Sequence, residues 1–250
     1  MKYLRILAME FYTWWLTSIR YPLDSLSSLA VLYIIYIGLF LGGKVILGGP
    51  AVRSAIETSI IGYTMWFLGI AALSTMSRNV AAEAQKGSLE QLFVAAVPVR
   101  DILLLRGLGS TLGAFVMAFI ICLLLSVTTG SRVPLGVGSL PALMLTLCGM
   151  WGFGLCLGGI TLLSKQTDQF VNLLQLLLLP AALKTDIGWL QWFPLARGVS
   201  VAVAAFRQSP AATNGLWGLG LCAALWLIVG ALVFDRCVLR AKSGGTLGHY

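Results

Sequence analysis

Residues 102–127 read ILLLRGLGSTLGAFVMAFIICLLLSV, and after Arg106 no charged side chain interrupts them. A helix rises about 1.5 Å per residue and a bilayer's hydrocarbon core is about 30 Å thick, so such a run is long enough to cross it. Comparable runs recur along all 250 residues, 58% of which are hydrophobic and only 10% charged. A water-soluble core does not need that excess. The expected fold is an all-α polytopic membrane protein with about six transmembrane helices in a single domain, 1–250, with no room for a soluble domain. A closed β-barrel would show short stretches of alternating polarity, whereas residues 173–183, LLQLLLLPAAL, form a continuous apolar block.

Outward from that run, the chain divides as follows. Residues 2–21 place Leu4, Leu7, Phe11, Trp14 and Trp15 on one helical face and Lys2, Thr13, Thr17 and Arg20 on the other, the pattern of an amphipathic helix lying in the membrane interface. Pro22 is where the chain turns into the bilayer. A signal-peptide core over residues 6–16 is the alternative, but Glu10 breaks it and no cleavage pattern follows. Spans are expected at residues 26–41, closed by Gly42, Gly43, Lys44 and the turn at 48–50, then at 56–76, 102–127 and 140–163. A fifth starts near Phe170 and meets Pro180, followed by a broken amphipathic segment over 184–207. A sixth covers 216–234, with a tail from Asp235.

Basic residues set the orientation. With the N-terminus inside, Lys2, Arg5, Arg20, Arg78, Lys86, Arg100, Arg106, Lys165, Arg236, Arg240 and Lys242 all fall on the cytoplasmic side. The opposite side keeps Lys44, Arg53, Arg132, Lys184, Arg197 and Arg207. The positive-inside bias therefore puts both termini of a multi-pass plasma (inner) membrane protein in the cytoplasm. Attraction to anionic lipid headgroups accounts for the net charge of +8, and no nucleic-acid partner is implied.

One polar string stands out between the apolar runs: residues 83–92, EAQKGSLEQL, with Pro98 shortly after. Ser88 and Gln91 have the spacing of a capping box, Gly87 supplies the turn before it, and Glu90 sits in the first turn where negative charge favours the helix dipole. A short helix is expected to start at Ser88 and stop before Pro98. A connector needs no separately capped helix.

The string Glu83-x-x-x-Gly87-Ser88-Leu89-Glu90-Gln91-Leu92, followed by Pro98, resembles the cytoplasmic loop of the ABC-2 type permeases, the membrane subunits of ATP-binding-cassette exporters. Ser88 stands where that pattern more often has Thr, which keeps the hydroxyl cap. The resemblance extends to the interfacial helix, the number of spans and, more weakly, to Gln191-Trp192-Phe193-Pro194-Leu195 with Arg207 downstream, similar to the family's outer re-entrant segment. It implies that residues 83–92 are a coupling helix docking on a separate ATPase subunit. Glu83 and Glu90 would pair with basic groups there, and Leu89 and Leu92 would anchor. It further implies a second copy of the chain or a homologous permease as partner, and ATP with magnesium bound by the ATPase, with no cofactor and no catalysis in this chain.

The residues themselves agree with that division of labour. Residues 38–44, GLFLGGK, match a phosphate loop only by chance, because Val45 replaces the magnesium-binding Ser or Thr and the stretch ends a span. The loop at 164–169 is too short to dock much. Asn172 and Gln175 are the conspicuous polar side chains of the fifth span, and two roles stay open for them: an interhelical hydrogen bond or a lining of the substrate path. Glycines at 149, 152, 154, 158 and 159, and at 109 and 113, are expected to let helices approach closely. Cys122, Cys148, Cys156, Cys222 and Cys237 lie in apolar runs without metal-ligand spacing and read as packing residues. The lack of an ionisable cluster in the spans points to a hydrophobic or amphipathic export substrate, drug-like or lipid-like. The alternatives are a membrane-embedded lipid-modifying enzyme and an ion-coupled secondary transporter. The sequence offers no catalytic histidine or serine motif for the first, and no intramembrane carboxylates for the second.

Overall fold

The structure is a computed structural model that describes residues 8–9, 12–13, 15–17, 19–47, 52–85, 99–130, 137–164, 168–183 and 188–243. Among these, every regular element is helical: α1 (Pro22–Leu47), α2 (Val52–Gln85), α3 (Val99–Thr129), α4 (Leu140–Leu163), α5 (Asp168–Leu183), α6 (Pro194–Phe206) and α7 (Ala211–Ser243). Short 3-10 turns at Val137–Ser139 and Gly188–Trp192 lead into α4 and α6. Among the described residues, four stretches are long and apolar enough to cross a membrane: Ile56–Ala82 in α2, Ile102–Thr129 in α3, Leu140–Leu163, and Ala211–Ala241 in α7. Shorter apolar stretches occupy Ser25–Gly38, Gln169–Leu183 and Pro194–Phe206. The chain is thus an α-helical protein built to sit in a membrane.

Two helices run further than their apolar residues do. The sequence places the end of the second span at residue 76, yet α2 continues to Gln85; it places a tail from Asp235, yet α7 continues to Ser243. Hydropathy marks where hydrocarbon ends, not where a helix does. Residues 77–85 and 235–243 contain no Gly or Pro and several strong helix formers, so nothing local stops the hydrogen-bond ladder. The backbone of α1 likewise passes through Gly42 and Gly43 to Leu47.

α2 is the hub. The most apolar 18-residue window of α2 is 72% buried, against 17% for that of α7, because α1, α3, α4, α5 and α6 all pack against α2. Tyr63 donates to the Leu32 carbonyl of α1 at 2.7 Å and Tyr36 of α1 meets Ser59 at 3.1 Å. Ser110 of α3 donates to Thr75 at 3.2 Å, and Trp66 donates its indole N–H to the Gln175 carbonyl of α5 at 3.1 Å. Ile60, Ile61, Leu68, Leu73 and Met76 fill the interior around it. The other polar side chains of α2 are largely satisfied by the helix itself: Ser59, Thr64 and Thr75 donate to carbonyls three or four residues back.

The glycines of α4 divide their close approaches among three neighbours. Gly154 packs on Leu73 and Met76 of α2, Gly152 and Gly159 pack on α7, and Gly149 packs against Pro194 at the start of α6. Gly109 and Gly113 of α3 are buried. This is the packing role expected of small residues in a helix bundle.

The region after α4 is built differently from a span followed by an outer segment. α5 runs antiparallel to α2, from Ser77 at one end to Gly62, which lies against the Ala182 carbonyl. Its 16 residues cover about 24 Å, short of a full crossing. Pro180 stays inside the helix. Pro194 then lies beside Gly149 and Leu195 beside Gly69, a level deeper along α2 than Gly62. α6 therefore begins deeper in the bundle than α5 ends. It climbs past Gly62, which meets Val199, to Arg207, whose guanidinium donates to Thr58 at 3.1 Å.

An aromatic clamp holds the break. Phe193 stacks on Trp226 at 5.6 Å, Phe153 sits edge-on to both, and the Trp192 carbonyl accepts from Trp226 Nε1 at 3.0 Å and from the Cys222 thiol at 3.3 Å. The residues Trp192, Phe193 and Pro194 of the weaker sequence pattern are thus the pivot between the two short helices.

Of the interfacial segment 2–21, the described residues from 8 to 20 are helical, and Thr13 and Thr17 donate back to the Met9 and Thr13 carbonyls at 2.7 Å. Met9, Tyr12, Trp15, Leu16 and Ile19 are all exposed. Thr13, Thr17 and Arg20 are exposed as well, so no side of this segment is covered by the described protein.

Candidate functional site: a polar cleft between α2 and α5

Where the foot of α5 meets α2, a cleft of about 240 Å³ is lined by Ser77, Arg78, Val171 and Asn172. Arg78 is exposed on the cleft side of the apolar stretch of α2, four residues before its end at Ala82. Ser77, next to it, is fully engaged inward: its hydroxyl meets that of Thr161 on α4 at 2.9 Å, and Thr161 in turn donates to the Leu157 carbonyl at 2.9 Å. Both hydroxyls are buried. That chain of donors fixes α2 against α4 at the cleft, while Arg78 is exposed.

Asn172 and Gln175 come out differently. Asn172 lines the cleft beside Arg78, and neither side chain has a hydrogen-bond or ion-pair partner among the described residues. Gln175 lies one turn further along α5, on the side of Val171. Its backbone carbonyl takes the Trp66 indole N–H, while its side-chain nitrogen is buried without a partner among the described residues. The interhelical hydrogen bond at this position is therefore made by the Gln175 main chain, not by its amide nitrogen. A buried amide donor left unpaired costs about 1–3 kcal/mol, the kind of cost that marks a functional position or a guest.

Of the proposed coupling residues, Glu83 falls on the last turn of α2, and Gly87, Ser88, Leu89, Glu90, Gln91 and Leu92 lie outside the described residues. The helix nevertheless carries the cleft and the start of that string on one rigid rod: Glu83 follows Arg78 by about 7.5 Å of helix rise.

Ser77 and Arg78 were not singled out from the sequence as site residues; Arg78 entered only as one positive charge among the cytoplasmic ones. The available signal was its position inside an apolar stretch, where an ionisable side chain is expensive and usually functional. No group of three or more His, Cys, Asp or Glu that could hold a metal occurs among the described residues, and all five cysteines are free thiols. Among the described residues the cleft offers one cation and one amide to a guest, which suits binding an anion. No family model matches the chain, and no curated protein matches its sequence.

Proposed function

We propose that this chain is the permease subunit of an ABC exporter of the ABC-2 type. Two copies, or this chain and a homologous one, form the substrate path and bind two separate ATPase subunits, which carry ATP and magnesium. The observation that carries this reading is the sequence string Glu83-x-x-x-Gly87-Ser88-Leu89-Glu90-Gln91-Leu92, whose first residues, 83–85, end a long helix. α2 supports it mechanically. A single helix of 34 residues that is the hub of the bundle transmits a push at its end into the packing around Arg78, Trp66 and Gly62. The overlapped α5 and α6 support it as well, since a break between short helices is where two arrangements of a bundle differ most easily.

In this reading the chain lies in the plasma (inner) membrane with both termini in the cytoplasm, and ATP-driven closure of the ATPases switches the path between inward and outward access. The substrate is a hydrophobic or amphipathic compound leaving the cytoplasm or the inner leaflet.

The test is co-purification. Affinity-tagged chain expressed with its genomic neighbours and extracted in mild detergent is expected to bring down an ATP-binding-cassette ATPase, with a mass corresponding to two membrane subunits and two ATPases. A monomer that transports without any ATPase overturns the reading.

A further inference from the structure

We infer that the cleft between α2 and α5 binds the phosphate headgroup of an anionic membrane lipid, whose acyl chains lie along the outer stripe of α5. Three observations converge on it. Among the described residues Arg78 supplies the only charge lining the cleft, and it is a cation with no partner among them. Beside it, the Asn172 amide is equally unengaged among the described residues, so a phosphate finds a charge-assisted donor and a neutral donor side by side. The third observation separates a lipid from a free anion. Leu173, Leu176 and Leu177 are all more than half exposed and follow Asn172 along the exposed side of α5.

That spacing is a helical stripe, with residue 176 one turn above 172 and 173, and residue 177 one turn above 173. A headgroup seated at Arg78 and Asn172 would direct its chains straight along Leu173, Leu176 and Leu177. A free phosphate would gain nothing from those side chains. The cleft volume of about 240 Å³ is in keeping with a headgroup and too small for a whole lipid, so the chains must lie outside it on the stripe. Arg78 also sits within about one helical turn of the end of an apolar stretch, close to the depth at which headgroups lie. A headgroup site of this kind requires only the cleft and a membrane; it does not depend on export.

The experiment is native mass spectrometry of the full-length chain in detergent, titrated with phosphatidylglycerol and with phosphatidylcholine of identical acyl chains. Glycerol phosphate serves as the headgroup without chains. Phosphatidylglycerol is expected to be retained over phosphatidylcholine by about fivefold, the effect of one well-placed cation at a membrane surface. Arg78→Gln should abolish that preference, and Asn172→Leu should reduce it. Arg236→Gln, which removes an exposed arginine of α7 outside the cleft, should leave it unchanged. Glycerol phosphate at millimolar concentration should not displace the lipid. Equal retention of the two lipids overturns the inference, as does an equal loss in Arg236→Gln. Displacement by glycerol phosphate shows a free-anion site and overturns the lipid assignment. If Arg78→Gln fails to elute as a folded species, Asn172→Leu decides alone: unchanged preference rejects the site. Because the readout is lipid retention, failure here leaves the ATPase co-purification result untouched.

Discussion

Gly152 of α4 and Gly230 of α7 meet backbone to backbone: a methyl on Gly230 would fall on the Gly152 carbonyl, and one on Gly152 would fall on the Trp226 carbonyl. Neither obstacle is a flexible side chain that can swing aside. In lipid, where apolar surface gains nothing from leaving its solvent, close van der Waals approach of this kind carries much of the helix association.

Gly152→Ala and Gly230→Ala should therefore each force α4 and α7 apart, at a cost of about 1–3 kcal/mol, while Gly220→Ala on the same helix α7, with open space around it, should be neutral. Thermal unfolding in detergent, followed by size exclusion, checks the ordering. If Gly220→Ala destabilises as much as Gly230→Ala, the effect is not helix contact.

The Ser77–Thr161 hydroxyl pair ties the cleft wall of α2 to α4. Interhelical hydrogen bonds in membranes average about 0.6 kcal/mol, so Ser77→Ala and Thr161→Val should show a coupling of that order in a double-mutant cycle. Steric unfolding and refolding equilibria in mixed micelles give the numbers. Strict additivity would mean that the two hydroxyls do not act on one another.

Orientation yields a labelling pattern. Cysteine placed at Lys86 or Lys242 should react with an impermeant maleimide only in inverted vesicles, and cysteine at Arg132 or Lys184 only in intact cells. The free native cysteines are replaced first, since Cys222 is partly exposed. Labelling at position 86 from outside the cell would remove the docking role of residues 83–92.

Coupling has its own variants. Glu90→Lys puts a cation where the ATPase is expected to present basic groups, and Gly87→Pro denies the turn before Ser88. Reversing a charge at a close interfacial pair costs several kcal/mol, enough to lose a modest docking interface. Membrane insertion should stay normal while ATPase binding weakens and export falls at least tenfold. Wild-type export with the ATPase still bound would make the segment an ordinary loop.

Composition and hydropathy, read along the chain, were enough to determine an α-helical membrane protein, and they located the second, third, fourth and sixth spans close to the stretches found in α2, α3, α4 and α7. Those properties are local: an apolar run of sufficient length has no other way to satisfy its backbone in lipid. The role of small residues was legible for the same reason. Which partner each glycine meets was not, because Gly152 and Gly154 are two residues apart on α4 yet face α7 and α2. Asn172 was marked by its polarity, but Arg78 joined it only when α5 folded back antiparallel to α2 and brought residues 78 and 172 to one cleft. The overlap of α5 and α6 was equally invisible, since nothing local at Leu183 or Pro194 says how deep each helix sits. That depth is set by the Phe153, Phe193 and Trp226 clamp and the two hydrogen bonds to the Trp192 carbonyl, contacts between residues far apart in the chain.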